Sequence, residues 1–99
     1  MNDCLLVVIT KPTIEGALMD WLLAQETLTD FSSAPIAGYS AEHSRLSIAE
    51  QVRGRRNNIM FQVKTTRSEA NRIVEDLKKD FAGAGLHYWL TPVLAEGRI

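Results

Sequence analysis

Four arginines, Arg45, Arg53, Arg55 and Arg56, crowd into residues 44–56 against a single acid there, Glu50. A guanidinium is permanently charged, planar and rich in donors, so it suits phosphate or carboxylate oxygens, or the acidic side chains of a partner. His43 stands at the entrance to this stretch beside Glu42, while His87 and Cys4 lie far away in the chain. Imidazole, thiolate and carboxylate are the donors that zinc and copper select, so a divalent metal ion is a candidate ligand and His43 the candidate metal-binding residue. Spacing gives this idea little help, because the sequence holds no Cys-x-x-Cys and no His-x-x-x-His pair. Only an oligomer would gather three copies of His43 or of His87, or set one of them against an acid across a cleft. Cys4 sits inside an apolar run, where a small buried hydrophobe is its expected role.

Enzymatic chemistry finds less to work with. Nucleophilic catalysis needs a nucleophile, a base and an orienting group in one pocket. Here there are serines and two histidines, but no nucleophile elbow and no glycine-rich phosphate loop. Glu75 and Asp76 fall on the outward side of a helical pattern and read as solvating charges. The expectation is a protein that is not an enzyme. Net charge is −1, so the basic stretch belongs to an otherwise acidic chain, and nucleic-acid binding is not expected. The lone cysteine excludes an internal disulfide and fits a reducing compartment. The apolar run CLLVVI is too short to span a membrane and lacks a basic leader, which predicts a cytoplasmic protein that is not membrane-embedded.

The elements that must position these residues follow from hydropathy period. Residues 3–10 (DCLLVVIT) form a short apolar run closed by Lys11-Pro12, which predicts a strand buried on both faces. Ile14, Leu18, Trp21 and Leu22 recur at helical spacing, predicting a helix near 12–25 with Pro12 in its first turn. Residues 31–43 read as an edge strand because Pro35 interrupts them. Residues 57–65 alternate, with Ile59, Phe61 and Val63 on one side and Met60, Gln62 and Lys64 on the other. Thr66 and Glu69 make a capping box, followed by Ala70, Ile73, Val74, Leu77 and Phe81 on one helical face. Gly83 and Gly85 stop that helix, and residues 86–94 form a last edge strand containing Pro92.

Strand, helix, strand, strand, helix, strand is the split βαβ pattern, an α+β, ferredoxin-like fold over residues 1–99. Right-handed crossovers place both helices on one face of a four-stranded antiparallel sheet and make the first and third strands central. The first strand, however, is apolar on both faces. Leu5, Val7 and Ile9 point one way and Cys4, Leu6 and Val8 the other, and Met60 with an aromatic from the Tyr88-Trp89 pair adds to the apolar face that the helices leave uncovered, which monomers seldom keep. A homo-oligomer packed through that face, closed as a ring, is expected. The connection between the second and third strands is also far longer than a hairpin needs. It carries its own capping box, Ser47 with Glu50, and Gly54 to end the turn before Arg55 and Arg56.

These residues carry a resemblance. VVITKPTIEGALMDWL resembles the opening of PII-type signalling proteins, where a strand ends in Lys-Pro and enters a helix, and APIAGYSAEH resembles their second strand, with Gly38 and Tyr39 matching and Ser40 in place of a second glycine. LSIAEQVRGRR with GAGLHYWLTPVLAEGR is similar to a small family of uncharacterised PII-like bacterial proteins associated with heavy-metal efflux systems. The resemblance implies a homotrimer with ligand sites in the clefts between subunits. It also implies that residues 44–56 act as a loop like the PII T-loop and address a partner, the cytoplasmic face of a membrane transporter. The residues expected to meet ligand or partner are Gly38, Tyr39, His43, Arg45, Glu50, Gln51, Arg53, Arg55 and Arg56. AGAG stands where PII proteins place the Asp-Gly-Lys segment that holds nucleotide phosphates, and no tyrosine lies in 44–56, so neither ATP binding nor nucleotidylation is carried over. Two alternatives remain at this stage: a small dimeric-barrel enzyme of the same fold, and a structural adaptor that binds no ligand.

Overall fold

The structure, a computed structural model, describes residues 3–28, 30–39 and 55–99. Strand β1 (Asp3–Thr10) passes through a 3-10 turn (Pro12–Ile14) into helix α1 (Glu15–Leu23). Strands β2 (Ser32–Tyr39) and β3 (Arg55–Thr66) follow, then helix α2 (Arg67–Asp80) and strand β4 (His87–Pro92). The sheet order is β2-β3-β1-β4 and every pairing is antiparallel, so β1 and β3 are central as expected. Both interrupted strands are edges. Pro35 lies inside β2 and Pro92 ends β4, where a missing N–H costs least.

Alternation sorts β1 into two faces. Cys4, Leu6, Val8 and Thr10 look toward the helices together with Ile59, Phe61 and Val63 of β3, and all are buried. Leu18 and Leu22 of α1 and Ala70, Ile73, Val74 and Leu77 of α2 close this core, the same residues that helical spacing selected. Trp21 Nε1 donates to Asp80 Oδ2 at 2.8 Å and its ring meets Phe81 edge-on at 6.2 Å, which pins α1 to the C-terminal end of α2.

Thr66 both ends β3 and caps α2, so strand passes to helix with no intervening loop. Its Oγ1 accepts from the Glu69 N–H at 3.2 Å, one half of the capping box. The Glu69 carboxylate goes elsewhere. It accepts from Thr27 Oγ1 at 2.8 Å and from Arg72, which also holds Asp76, and these contacts keep its carboxyl below the usual range. Thr66→Ala should therefore cost about 1 kcal/mol, the usual worth of a lost N-cap, read as a lower urea midpoint with an unchanged slope. After α2, Gly83 and Gly85 adopt φ of 80° and 79°, a left-handed backbone that a side chain resists, and they turn the chain back into β4.

Candidate functional site

Cross-strand register decides what lies on the sheet face away from the helices. Val7 is opposite Gln62 on one side and Trp89 on the other, and Ile9 is opposite Met60 and His87. Directly paired residues share a face, so Trp89 joins Leu5, Val7, Ile9 and Met60 on the open side, while Tyr88 pairs with Val8 and looks toward the helices. Ala34 and Ile36 of β2 extend the patch, through their pairing with Met60 and Asn58. Val7 is only 4% exposed because its two neighbours flank it, yet Trp89 remains 43% exposed. None of the described elements covers this face.

At one end of the sheet a cavity of about 460 Å³ opens where β1 runs out and β3 and β4 begin. Ile9, Thr10, Lys11, Pro12 and Thr13 line it from β1 and the turn that follows. Arg56, Asn57 and Asn58 line it from the start of β3, and Gly85 and His87 from the approach to β4. Thr10 is 2% exposed, the one buried polar residue among those described, and its Oγ1 has no hydrogen-bond partner. Arg56 Nε is likewise buried and unpartnered. The backbone explains both. Thr10 pairs with Ile59, but β4 begins opposite Ile9, so on that side Thr10 faces the cavity instead of a strand. Arg56 pairs with Gly38, and the missing side chain there leaves room: a Cβ on Gly38 would lie 3.9 Å from Arg56 Nε and 3.4 Å from Asn58 Nδ2.

The residues selected from sequence divide among three places. Gly38 and Arg56 meet at this end of the sheet, and Tyr39, 71% exposed, sits beside them as the last residue of β2. Arg55 opens β3, opposite Tyr39, so the strand starts two residues before the expected boundary. His43, Arg45, Glu50, Gln51 and Arg53 lie outside the described residues. Of the other metal-type donors, His87 lines the cavity and packs edge-on against Trp89 at 5.6 Å. Cys4 is opposite Pro92, on the helix side of β1 and five residues from the partner of His87, about 17 Å along the strand. Burial pushes the Cys4 thiol up, away from the thiolate that a metal requires. Among the described residues no group of three His, Cys, Asp or Glu side chains comes together.

A second cavity, about 240 Å³, lies between α2 and β4 and is walled by Val8, Val74, Leu77, Phe81 and Leu86, with Lys78 and Tyr88 as its titratable residues. Lys78 sits 6.0 Å from the Tyr88 ring centre and pairs with Glu75 at 3.0 Å on the surface. Both are largely solvent-exposed, Lys78 at 57% and Tyr88 at 41%, so the apolar part of the cavity encloses no titratable group. No helix among the described residues is long and apolar enough to cross a membrane. Thr10, Asn57 and Asn58 escaped the sequence reading, although Thr10 carries one visible signal, a hydroxyl at the end of an otherwise apolar run.

A family model described as "Protein of unknown function (DUF3240)" matches residues 1–99. No curated protein matches the sequence significantly. The crystal structure of a DUF3240 family protein from Shewanella baltica superposes with a TM-score of 0.79 at 23% identity, covering 100% of this chain and 98% of that one. A "putative PII-like signaling protein" from Thermus thermophilus gives 0.65 at 15% identity, over 94% of this chain and 91% of its own. A functionally unknown protein from Pediococcus pentosaceus gives 0.66 at 13% identity, over 100% and 99%. At these identities the likeness is one of fold, and the fold is the ferredoxin-like, PII-like one.

Proposed function

This chain belongs to the DUF3240 family, and from that premise we propose that it is a non-enzymatic, PII-like regulatory protein. In this reading three copies assemble through the open sheet face, and a small ligand or metal ion binds at the end of the sheet. The basic 44–56 segment then contacts or releases a partner, the cytoplasmic face of a heavy-metal efflux transporter. The protein itself stays in the cytoplasm. One observation carries the reading. Tyr39 and Arg55, the two residues that flank 40–54, are directly paired at one end of the sheet. The next residues of β3, Arg56 to Asn58, form a wall of the cavity. A ligand held there touches the root of the segment that addresses the partner, and such a contact can bias a loop between two states. A dimeric-barrel enzyme finds less support, because the titratable residues of the cavity between α2 and β4, Lys78 and Tyr88, are solvent-exposed rather than enclosed.

The experiment pairs calorimetry with hydrogen exchange, using zinc, copper, ATP, pyrophosphate and citrate in turn. At least one should give heat and change exchange severalfold in peptides spanning 40–54. Heat without any change in those peptides, or no heat from any of the five, would overturn the sensor. A solution mass of two subunits would point back to the barrel enzyme. A chain with Arg45→Ala and Arg53→Ala should keep its ligand heat and lose its partner.

A further inference from the structure

Helix α1 carries more apolar surface than the fold uses. Only Glu15 and Asp20 of its nine residues are polar, whereas α2 keeps one apolar stripe and a charged back. Leu18 and Leu22 are buried in the core, and Trp21 turns toward Asp80 and Phe81 of α2. At about 100° per residue, Met19 and Leu23 fall on the opposite flank, one turn apart. They are 42% and 67% exposed. On its way from β1 to β2, α1 crosses above β3, so this flank looks toward the β2 edge. Ser33, Pro35 and Ala37 of β2 pair with Phe61, Ile59 and Asn57 and so share the helix side, yet all three are exposed. A strip of that side of the sheet is left bare. It forms a groove with Met19 and Leu23 as one wall and small side chains as its floor. A cavity of about 280 Å³ opens at one end, against Pro12, Pro35 and Ala37. Another of about 270 Å³ opens at the other end, against Leu23, Leu28 and Phe31.

Charge selects the occupant. No Lys, Arg or His occurs from Pro12 to Tyr39, while Glu15, Asp20, Glu26 and Asp30 all fall there. Asp20, Glu26 and Asp30 are exposed, and Asp30 lines the second cavity. Arg72 approaches this end through Gln25 and Thr27, but Glu69 and Asp76 already hold it. An apolar strip with an acidic rim repels anionic lipid and attracts a cationic partner. We infer that the groove between α1 and β2 docks a basic amphipathic helix of another protein. Its aliphatic side chains lie against Met19 and Leu23, and its Lys or Arg side chains reach Asp20, Glu26 and Asp30. A nine-residue helical wall, about 14 Å long, matches about three turns of such a helix. Side chains one turn apart form ridges that receive another helix better than an extended chain. The groove lies on the opposite side of the sheet from the apolar face proposed for assembly, so both can be filled at once. Docking here needs neither the sensor's ligand nor residues 44–56.

A synthetic helix of about four turns, leucine on one face and lysine on the other, is the probe, titrated into the full chain by calorimetry. Two peptides serve as comparison: the same residues in strict alternation, which favour a strand, and a version with glutamate for lysine. The helix should bind saturably and protect amides of 15–24 and 32–38 from exchange. Leu23→Ser should weaken it about 10- to 100-fold, the range for one leucine buried on binding. The melting temperature of the free Leu23→Ser chain should stay within about 2 °C of the parent, because the position is exposed. Asp20→Asn with Asp30→Asn should weaken the helix severalfold and flatten its salt dependence, while Glu75→Gln, on the surface of α2, should change neither. Equal affinity in parent and Leu23→Ser, protection confined to other segments, or tighter binding of either comparison peptide overturns the site. Retention on phosphatidylglycerol vesicles that Leu23→Ser abolishes would replace the partner helix with a membrane. A lower mass of the free assembly in Leu23→Ser would place a second copy of this chain in the groove and equally overturn the proposal.

Discussion

A Met60→Glu chain is expected to sediment as single 11.1 kDa particles at micromolar concentration, under conditions where the parent sediments as a multiple of that mass. Met60 lies on a central strand, between Ile9 and Ala34 on the open face, and is half-buried in the single chain. The substitution therefore leaves the helix-side core alone. Ile9 and Ala34 lie directly opposite it and Val7 and Ile36 diagonally, and burying each large aliphatic side chain of this face on assembly is worth roughly 1.5–3 kcal/mol at most. A carboxylate in that setting has no partner. Its desolvation costs several kcal/mol per subunit, and a closed ring brings the copies toward one another. Against a gain of similar size, that is enough to take the assembly apart. Far-UV circular dichroism should show the fold retained. Trp89→Ser, at the sheet edge, should weaken association without abolishing it. A parent that is already a single particle, or a Met60→Glu chain that still assembles, would remove the open face as an interface.

The course of the chain was legible because each rule needed only neighbours in sequence. Pro35 and Pro92 marked the edge strands, Thr66 marked the start of α2, and alternation split Cys4 to Ile9 into two sides before any partner was known. What resisted were facts about pairing. The Tyr88-Trp89 ambiguity is settled by Val7 lying opposite Trp89, a register that no local pattern contains. Arg56 reads as a loop residue until β3 is seen to extend back to Arg55 and to place Arg56 against a residue with no side chain, Gly38. Thr10 looks like any polar strand end. Its importance comes from β4 starting one position too late to face it, and satisfaction of a hydroxyl depends on that kind of distant detail. The same logic separates Cys4 from His87. Composition makes them a plausible metal pair, and the sheet puts them at opposite ends and on opposite faces.

The core makes the sharpest demand on a single side chain. Phe61→Ala should lower stability by about 3–5 kcal/mol, the range for deleting a fully buried ring. Phe61 is 1% exposed, lies on the helix side of β3 opposite Val8 and Ser33, and meets the Phe31 ring at 6.1 Å. It is the largest fully buried side chain described, so its removal leaves a void that Leu6, Leu18 and Ile73 cannot all move to fill. Small domains have about 5–15 kcal/mol in total, so the loss is about a fifth of that or more. At about 4–8 °C per kcal/mol for a chain of this size, the melting temperature should fall by about 12–40 °C. Phe61→Leu keeps most of the volume and should cost far less. Because Phe61 faces away from the open side, urea midpoints taken at several protein concentrations separate the two kinds of damage. The Phe61→Ala loss should be nearly the same at each concentration, while the loss caused by Met60→Glu should grow as assembly contributes more to the parent. A Phe61→Ala midpoint within about 1 kcal/mol of the parent would mean that this ring does not anchor the helices to the sheet, and the assignment of the core to that face would fail.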